Sequence, residues 1–359
     1  MSRPDAGPKL ASAGSLPAAL VARGHTMSSA RAQRLSVIVC THNPRPEYFR
    51  RLIDSLTRQT LPTDQWELLV IDNASDQPLA AVWDLSWHPN ARHLREEELG
   101  LTAARLRGIK ESHGQLIVYV DDDNVMTEDY LRLALEIERD NPYITVFGAG
   151  ALDPEFELPP APEVQCLVPR LGLRHVDQPR WTNNPEDSTS VPWGAGLCVR
   201  RSTAAAYAEL LDHLSISHLL DRRGQRLFSA GDDLFSWVAA RTGSGFGIFP
   251  ALCIVHLVRA ERVKPPYLLR LVHDHAYSHT ILRYVMYGTL QKHLPVAATI
   301  RILLKGVRRG MFSMQSDWAA ARGASAAAKH IREAGLQPVS GGPFAPRPPA
   351  LDAASKTFP

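Results

Sequence analysis

Cysteine is scarce and scattered: Cys40, Cys166, Cys198 and Cys253 are the only four in 359 residues, and no two form a CxxC pair. Three lie in apolar runs and Cys166 in a loop, which excludes a disulfide framework and a thiolate zinc site and implies buried thiols in a reducing compartment. No stretch reaches the roughly 18 consecutive apolar residues of a membrane span. The apolar piece Leu16 to Ala22 is too short and too weakly flanked for a secretory signal. A cytoplasmic location is therefore expected. Charge of one sign is also lacking: 40 Lys and Arg against 37 Asp and Glu leave a net charge of +3, so composition offers no argument for nucleic-acid binding. Neither GxGxxG nor GxxxxGK[ST] follows the first apolar run, which argues against a dinucleotide dehydrogenase and a P-loop NTPase. What remains is an ordinary globular composition, 45% hydrophobic and 21% charged.

Residues 1 to 34 are rich in Ala, Ser, Pro, Gly and Arg without periodicity and read as a disordered leader. From Leu35 the chain alternates. LSVIVC (35–40), WELLVID (66–72), QLIVYV (115–120) and ITVFGAG (144–150) read as strands, with helices over 48–59, 102–112 and 127–141. Near-continuous apolar strands separated by helices predict an α/β fold with a mostly parallel, doubly covered sheet. Residues 151–192 are proline-rich and irregular, the pattern of a substrate-covering insertion. Strands are expected again at 193–199 and 251–257, and helices at 202–211 and from Gly231.

The triplet Asp121-Asp122-Asp123 ends one of these strands. Three adjacent carboxylates repel unless a cation holds them, and hard oxygen ligands without His or Cys suit Mg²⁺ or Mn²⁺ shared with a phosphate. The alternative is a solvated acidic turn capping the next helix. Strand carboxyl ends of a parallel sheet share one edge, so Thr41-His42-Asn43, Asp72-Asn73 and the triplet are expected to converge on one crevice. Taken singly, the first two are also ordinary turns.

In their order, these segments resemble the family 2 glycosyltransferases of the GT-A fold, from about Leu35 to Leu271. VIVCTHNP, LLVIDNASD, GLTAARLRG, VYVDDDN, WGAGLCVRRS, GDDLFSW and VHLVRAERV carry the likeness. It implies a GT-A domain with a nucleotide-sugar half (35–150) and an acceptor half (151–271), followed by a helical extension (272–323) and a poorly ordered tail (324–359). It also implies an inverting, metal-dependent transfer from a nucleoside-diphosphate sugar, UDP favoured, to a hydroxyl acceptor. Thr41, Asn43, Asp72, Arg105, Asp121 and Asp122 would meet the nucleotide sugar, with Asp72 accepting from a ring N–H. Asp123, with His256, would hold Mn²⁺ or Mg²⁺. Asp233 would be the general base, with Asp232 able to exchange roles because it stands where the family usually has Glu. At 106 a Leu replaces the usual Asn.

Trp193, Gly194 and Gly196 fall on the acceptor side. Small residues there admit either a close acceptor or close packing, and Trp193 either stacks on a sugar or fills core. Trp193 or Trp237 is expected to dry the site around the base, offsetting a helix-terminal field that lowers carboxylate pKa values. His256 has the alternative of a strand histidine, and His273, His275 and His279 read as a polar helix face more readily than as a metal site. Residues 295–311 pattern as a basic amphipathic helix, suited to an anionic membrane surface or to packing on the domain. Competing readings are a noncatalytic nucleotide-sugar or glycan binder on the same fold and a sugar nucleotidyltransferase, whose Gly-rich loop is missing from CTHNPRP.

Overall fold

The computed structural model describes residues 34–290, apart from Ser215, Arg223 and Gln225, and residues 311–339. The expected leader, and the expected membrane-facing helix up to residue 310, lie outside the described residues.

The apolar runs form the strands β1 (Leu35–Thr41), β2 (Trp66–Asn73), β3 (Ala91–Glu96), β4 (Leu116–Val120), β5 (Asn124–Met126), β6 (Ile144–Phe156), β7 (Arg174–His175), β8 (Arg180–Thr182), β9 (Cys198–Arg200) and β10 (Gly245–Val258). They join one sheet in the order β3-β2-β1-β4-β9-β6-β10-β5, with β7 on β6 and β8 on β10. Strands β3, β2, β1 and β4 pair in parallel, as do β6 and β10, while β9 runs antiparallel between β4 and β6. Because β9 is reversed, residues leading into it reach the edge where β1, β2 and β4 end. This is the mostly parallel GT-A arrangement that the resemblance implies.

Side chains alternate across the sheet. Val37, Val39, Leu68, Val70 and Val118 face α1 (Pro46–Thr57) and α3 (Tyr130–Asp140) in one core. Ile38, Leu69, Ile71, Ile117 and Tyr119 face the other core, which includes residues of α2 (Leu101–Glu111), α4 (Arg201–His213), α5 (Ser217–Leu220), α6 (Gly231–Arg241), α7 (Pro265–Tyr287) and α8 (Met311–Ala334).

Three expectations change. The strand over 193–199 shrinks to Cys198–Arg200, because Gly196 turns through a φ of +72°. The insertion 151–192 is not wholly irregular, since β7 and β8 fasten it antiparallel to β6 and β10. The ordered chain also passes residue 324: α8 runs to Ala334, burying Ala327, Ala328 and Ile331. Alanine-rich composition that reads as low complexity is here a strong helix former with a small-residue packing face.

Candidate active site

At the carboxyl edge of the sheet, Thr41 ends β1 and its hydroxyl donates to an Asp122 carboxylate oxygen. Asn43 follows in the left-handed region, φ +47°. Its amide nitrogen donates to Ser75 Oγ (2.9 Å), and its side chain exchanges hydrogen bonds with Asp76 (2.9 and 3.2 Å). Asn43 thus ties the loop after β1 to the loop after β2. Asp72 is 3% exposed and accepts from Ser75 N (3.0 Å), Leu79 N (3.0 Å) and Arg95 Nη1 (2.9 Å). Burial alone would raise its pKa; these donors outweigh burial and hold it below the usual carboxylate value. The turn-forming alternative describes what Asp72 does in the structure, and a ligand N–H must compete with three resident donors.

The acidic triplet between β4 and β5 is not a solvated turn. Asp122 is pushed up to about 6, first by burial and then by Asp123. Asp121 is raised by burial and again by Asp123. Asp123 goes the other way: burial pushes it up, but His256 and the guanidiniums of Arg262 and Arg222 hold it well below the usual range. Arg262 Nη1 donates to Asp123 Oδ2 at 2.7 Å and lies 3.0 Å from His256 Nε2, which is itself 3.4 Å from Asp123 Oδ2. Arg262 comes from the short 3-10 turn Ala260–Val263 after β10. The cation that the triplet calls for is thus present, and it is a guanidinium.

Among the described residues no cluster of three or more His, Cys, Asp or Glu is arranged to hold a metal. Asp123 and His256 together form an open pair of donors converging on one positive centre. The pair fits a hard cation that brings other ligands with it, as Mg²⁺ does with water and phosphate oxygens. It does so only with Arg262 displaced.

The second group of acids begins α6. Asp232 Oδ2 accepts from Gly194 N (2.8 Å), and Asp232 Oδ1 from Arg105 Nη2 (2.7 Å). Arg105 Nη1 donates to Asp221 Oδ2 at 3.2 Å, and Asp221 accepts from Thr102 Oγ1 and Gly231 N as well. Arg105 is only 2% exposed. The expectation that it meets the diphosphate or nucleoside is corrected: its guanidinium is spent on two protein carboxylates, with the Tyr119 ring 5.6 Å away. Asp232, bound to Gly194 and Arg105, is a structural acid. Asp233, one residue on, is partly exposed and faces His279 across 3.5 Å.

Burial raises the Asp233 carboxyl, and Asp232 and Asp221 add to the rise, while His279 opposes it. Burial and like charge therefore outweigh the helix-terminal field at Asp233. Trp237 lies in the core, 3% exposed. Trp193 carries the Arg174 guanidinium 3.6 Å over its ring, so that face is covered.

The glycines resolve toward packing. A Cβ at Gly194 would meet Arg105 Nη2 at 2.9 Å and Asp232 Oδ2 at 3.1 Å, and one at Gly196 would meet Tyr130 Oη at 2.2 Å. Neither bareness is explained by an acceptor. The structure also brings in Asp221, Arg262, Arg174 and His279, none of which sequence reasoning assigned to the site. Arg262 lies inside the quoted segment VHLVRAERV, but only the fold reveals that its side chain turns back on Asp123.

Residues 36–179 match the family model described as glycosyl transferase family 2. The uncharacterized glycosyltransferase EpsJ of Bacillus subtilis is 34% identical over 157 residues, 41% of this chain and 44% of EpsJ. The uncharacterized glycosyltransferase YwdF of the same organism is 32% identical over 108 residues, 29% of this chain and 38% of YwdF. The poly(ribitol-phosphate) beta-N-acetylglucosaminyltransferase TarS of Staphylococcus aureus is 30% identical over 105 residues, 28% of this chain and 18% of TarS. The chain thus spans less than half the length of each of these relatives. A crystal structure of S. aureus TarS in complex with UDP-GlcNAc superposes with a TM-score of 0.45 at 18% identity, covering 77% of this chain and 72% of that one.

Proposed function

Given that residues 36–179 place this chain in glycosyl transferase family 2, we propose that it transfers a sugar from a nucleoside-diphosphate donor, UDP favoured, to a hydroxyl acceptor with inversion. One observation carries the reading. The acids opening α6 are tied to the strand that ends in the acid triplet: Arg105 holds Asp232 at 2.7 Å and lies 5.6 Å from the ring of Tyr119 in β4, two residues before Asp121.

The donor diphosphate would lie by the triplet, where Asp123 and His256 are the residues that would hold Mn²⁺ or Mg²⁺ in place of the Arg262 guanidinium. When bound, such an ion supplies Lewis-acid neutralisation of the diphosphate. Asp233 takes the proton of the acceptor hydroxyl as its oxygen bonds to the anomeric carbon. The bond from that carbon to the diphosphate oxygen breaks, its electron pair leaving with the nucleoside diphosphate. With a single displacement there is no covalent sugar intermediate, and one face is exchanged for the other. A raised carboxyl suits proton abstraction near neutral pH better than an ordinary one. Asp232, already bound by Arg105 and Gly194, positions the start of α6.

The test separates enzyme from binder. With UDP-N-acetylglucosamine first, the sugar for which TarS is named, Asp233→Asn is expected to keep donor affinity within about twofold and to lose at least about 10²-fold in turnover. Unchanged turnover would remove Asp233 as the base, and donor binding without turnover in the wild type would return the chain to the noncatalytic reading.

A further inference from the structure

The matched family segment ends at residue 179, and the likeness read from the sequence fades after Leu271, yet α7 continues to Tyr287. Its far half is built into the site. Asp274 Oδ2 accepts from Leu227 N at 2.8 Å, and Ser278 Oγ accepts from Ser229 N at 3.2 Å. Tyr277 stacks on Phe228 with ring centroids 4.9 Å apart and planes 5° from parallel. Two hydrogen bonds and a ring stack from one helix turn therefore fix residues 227–229, the segment that delivers Gly231 and the start of α6. The next residue along α7 is His279, whose Nε2 lies 3.5 Å from Asp233 Oδ2.

We infer that His279 is a positioning residue for the general base: it holds the Asp233 carboxylate ionised and oriented toward the acceptor. The inference rests on Asp233 being that base. Every element around the carboxylate contributes charge. Asp232 on α6 and Asp221 before it repel the ionised form, and Arg174 on β7 attracts it. On α7, His275 has its ring centroid 6.2 Å from that of His279. Burial, then His279 and the guanidiniums of Arg222 and Arg170, push His275 down to about 3, so it stays neutral and offers Asp233 no charge. That leaves two repelling carboxylates against one guanidinium and the imidazole of His279. The His279 side chain is 44% exposed, and a cationic imidazole beside Asp233 favours the ionised carboxylate directly.

The pairing is measurable without an acceptor. In the full-length protein, the His279 imidazole Cε1–H resonance is identified by its loss in His279→Gln and titrated in the wild type and in Asp233→Asn. Removing the carboxylate is expected to lower the His279 titration midpoint; an unchanged midpoint overturns the inference. A second arm follows UDP release from UDP-N-acetylglucosamine with water as acceptor. His279→Gln is expected to move the acid limb of the rate upward, with several-fold less activity at pH 6.5 that recovers by pH 8.5. A uniform loss at all pH values would mean a structural role and also overturn it. The failures are separable. If Asp233→Asn still turns over, the base assignment falls; if it is inactive while the His279 midpoint stands still, only the role of His279 falls.

Discussion

At the scale of single residues, the site is decided by which cation sits on which acid. Arg262 stands on Asp123 at 2.7 Å, where a divalent ion would bind. A resident guanidinium and a metal compete for one carboxylate, so Mn²⁺ alone should bind weakly. Arg262→Gln removes the competitor while keeping side-chain length. Its affinity for Mn²⁺ without nucleotide is expected to rise about tenfold, or about 1.4 kcal/mol, in a calorimetric titration; equal or weaker binding would mean that the two cations do not share a place. Away from the site, His88 is 2% exposed against Trp66, and its Nδ1 accepts from Asn90 N at 3.1 Å, which requires the neutral ring. Burial lowers its pKa from 6.5 to about 4. The unfolded chain takes up that proton first as pH falls, so the stability is full above 6.5 and is lost between 6.5 and 4. The loss amounts to about 3 kcal/mol at most. Urea unfolding at pH 7.5 and pH 5 should show a larger drop for wild type than for His88→Phe, and equal drops would refute the assignment.

At the scale of elements, legibility followed burial. Strands β2 and β4 are buried throughout and β1 everywhere but at Cys40, and they stand out as mainly apolar runs. Strand β3 reads ARHLRE, with no alternation to detect, and exists because the free edge of β2 offers a parallel register from Leu68 to Asn73. The acid triplet and Gly231-Asp232-Asp233 were legible because acids at strand and helix ends are conspicuous. The pairing of Arg105 is not legible in the sequence, because its partner Asp221 is a lone acid in a loop, which carries no pattern. The composition of helix α8 hides its full length, although its small residues are what let it approach α7. A Cβ on Gly323 would lie 2.0 Å from the His273 carbonyl oxygen. Gly323→Val should therefore push the helices apart, destabilising the fold by about 1–3 kcal/mol. Because α7 carries His279, UDP release should fall along with stability. A variant as stable and as active as wild type would show that the crossing is not needed.

At the scale of the whole molecule, α2 belongs to the part of the chain that carries the acid triplet, and Gly231-Asp232-Asp233 to the part that follows the insertion. Here Arg105, rooted in α2, is buried between Asp221 and Asp232, at 3.2 and 2.7 Å. Pulling α2 away from Asp221 and the start of α6 would strand a buried charge, a cost of about 3–5 kcal/mol, which thermal motion rarely supplies. The arginine is a strut, not a hinge pin. On the proposed reading, an acceptor consequently meets a gauge of fixed width at the start of α6.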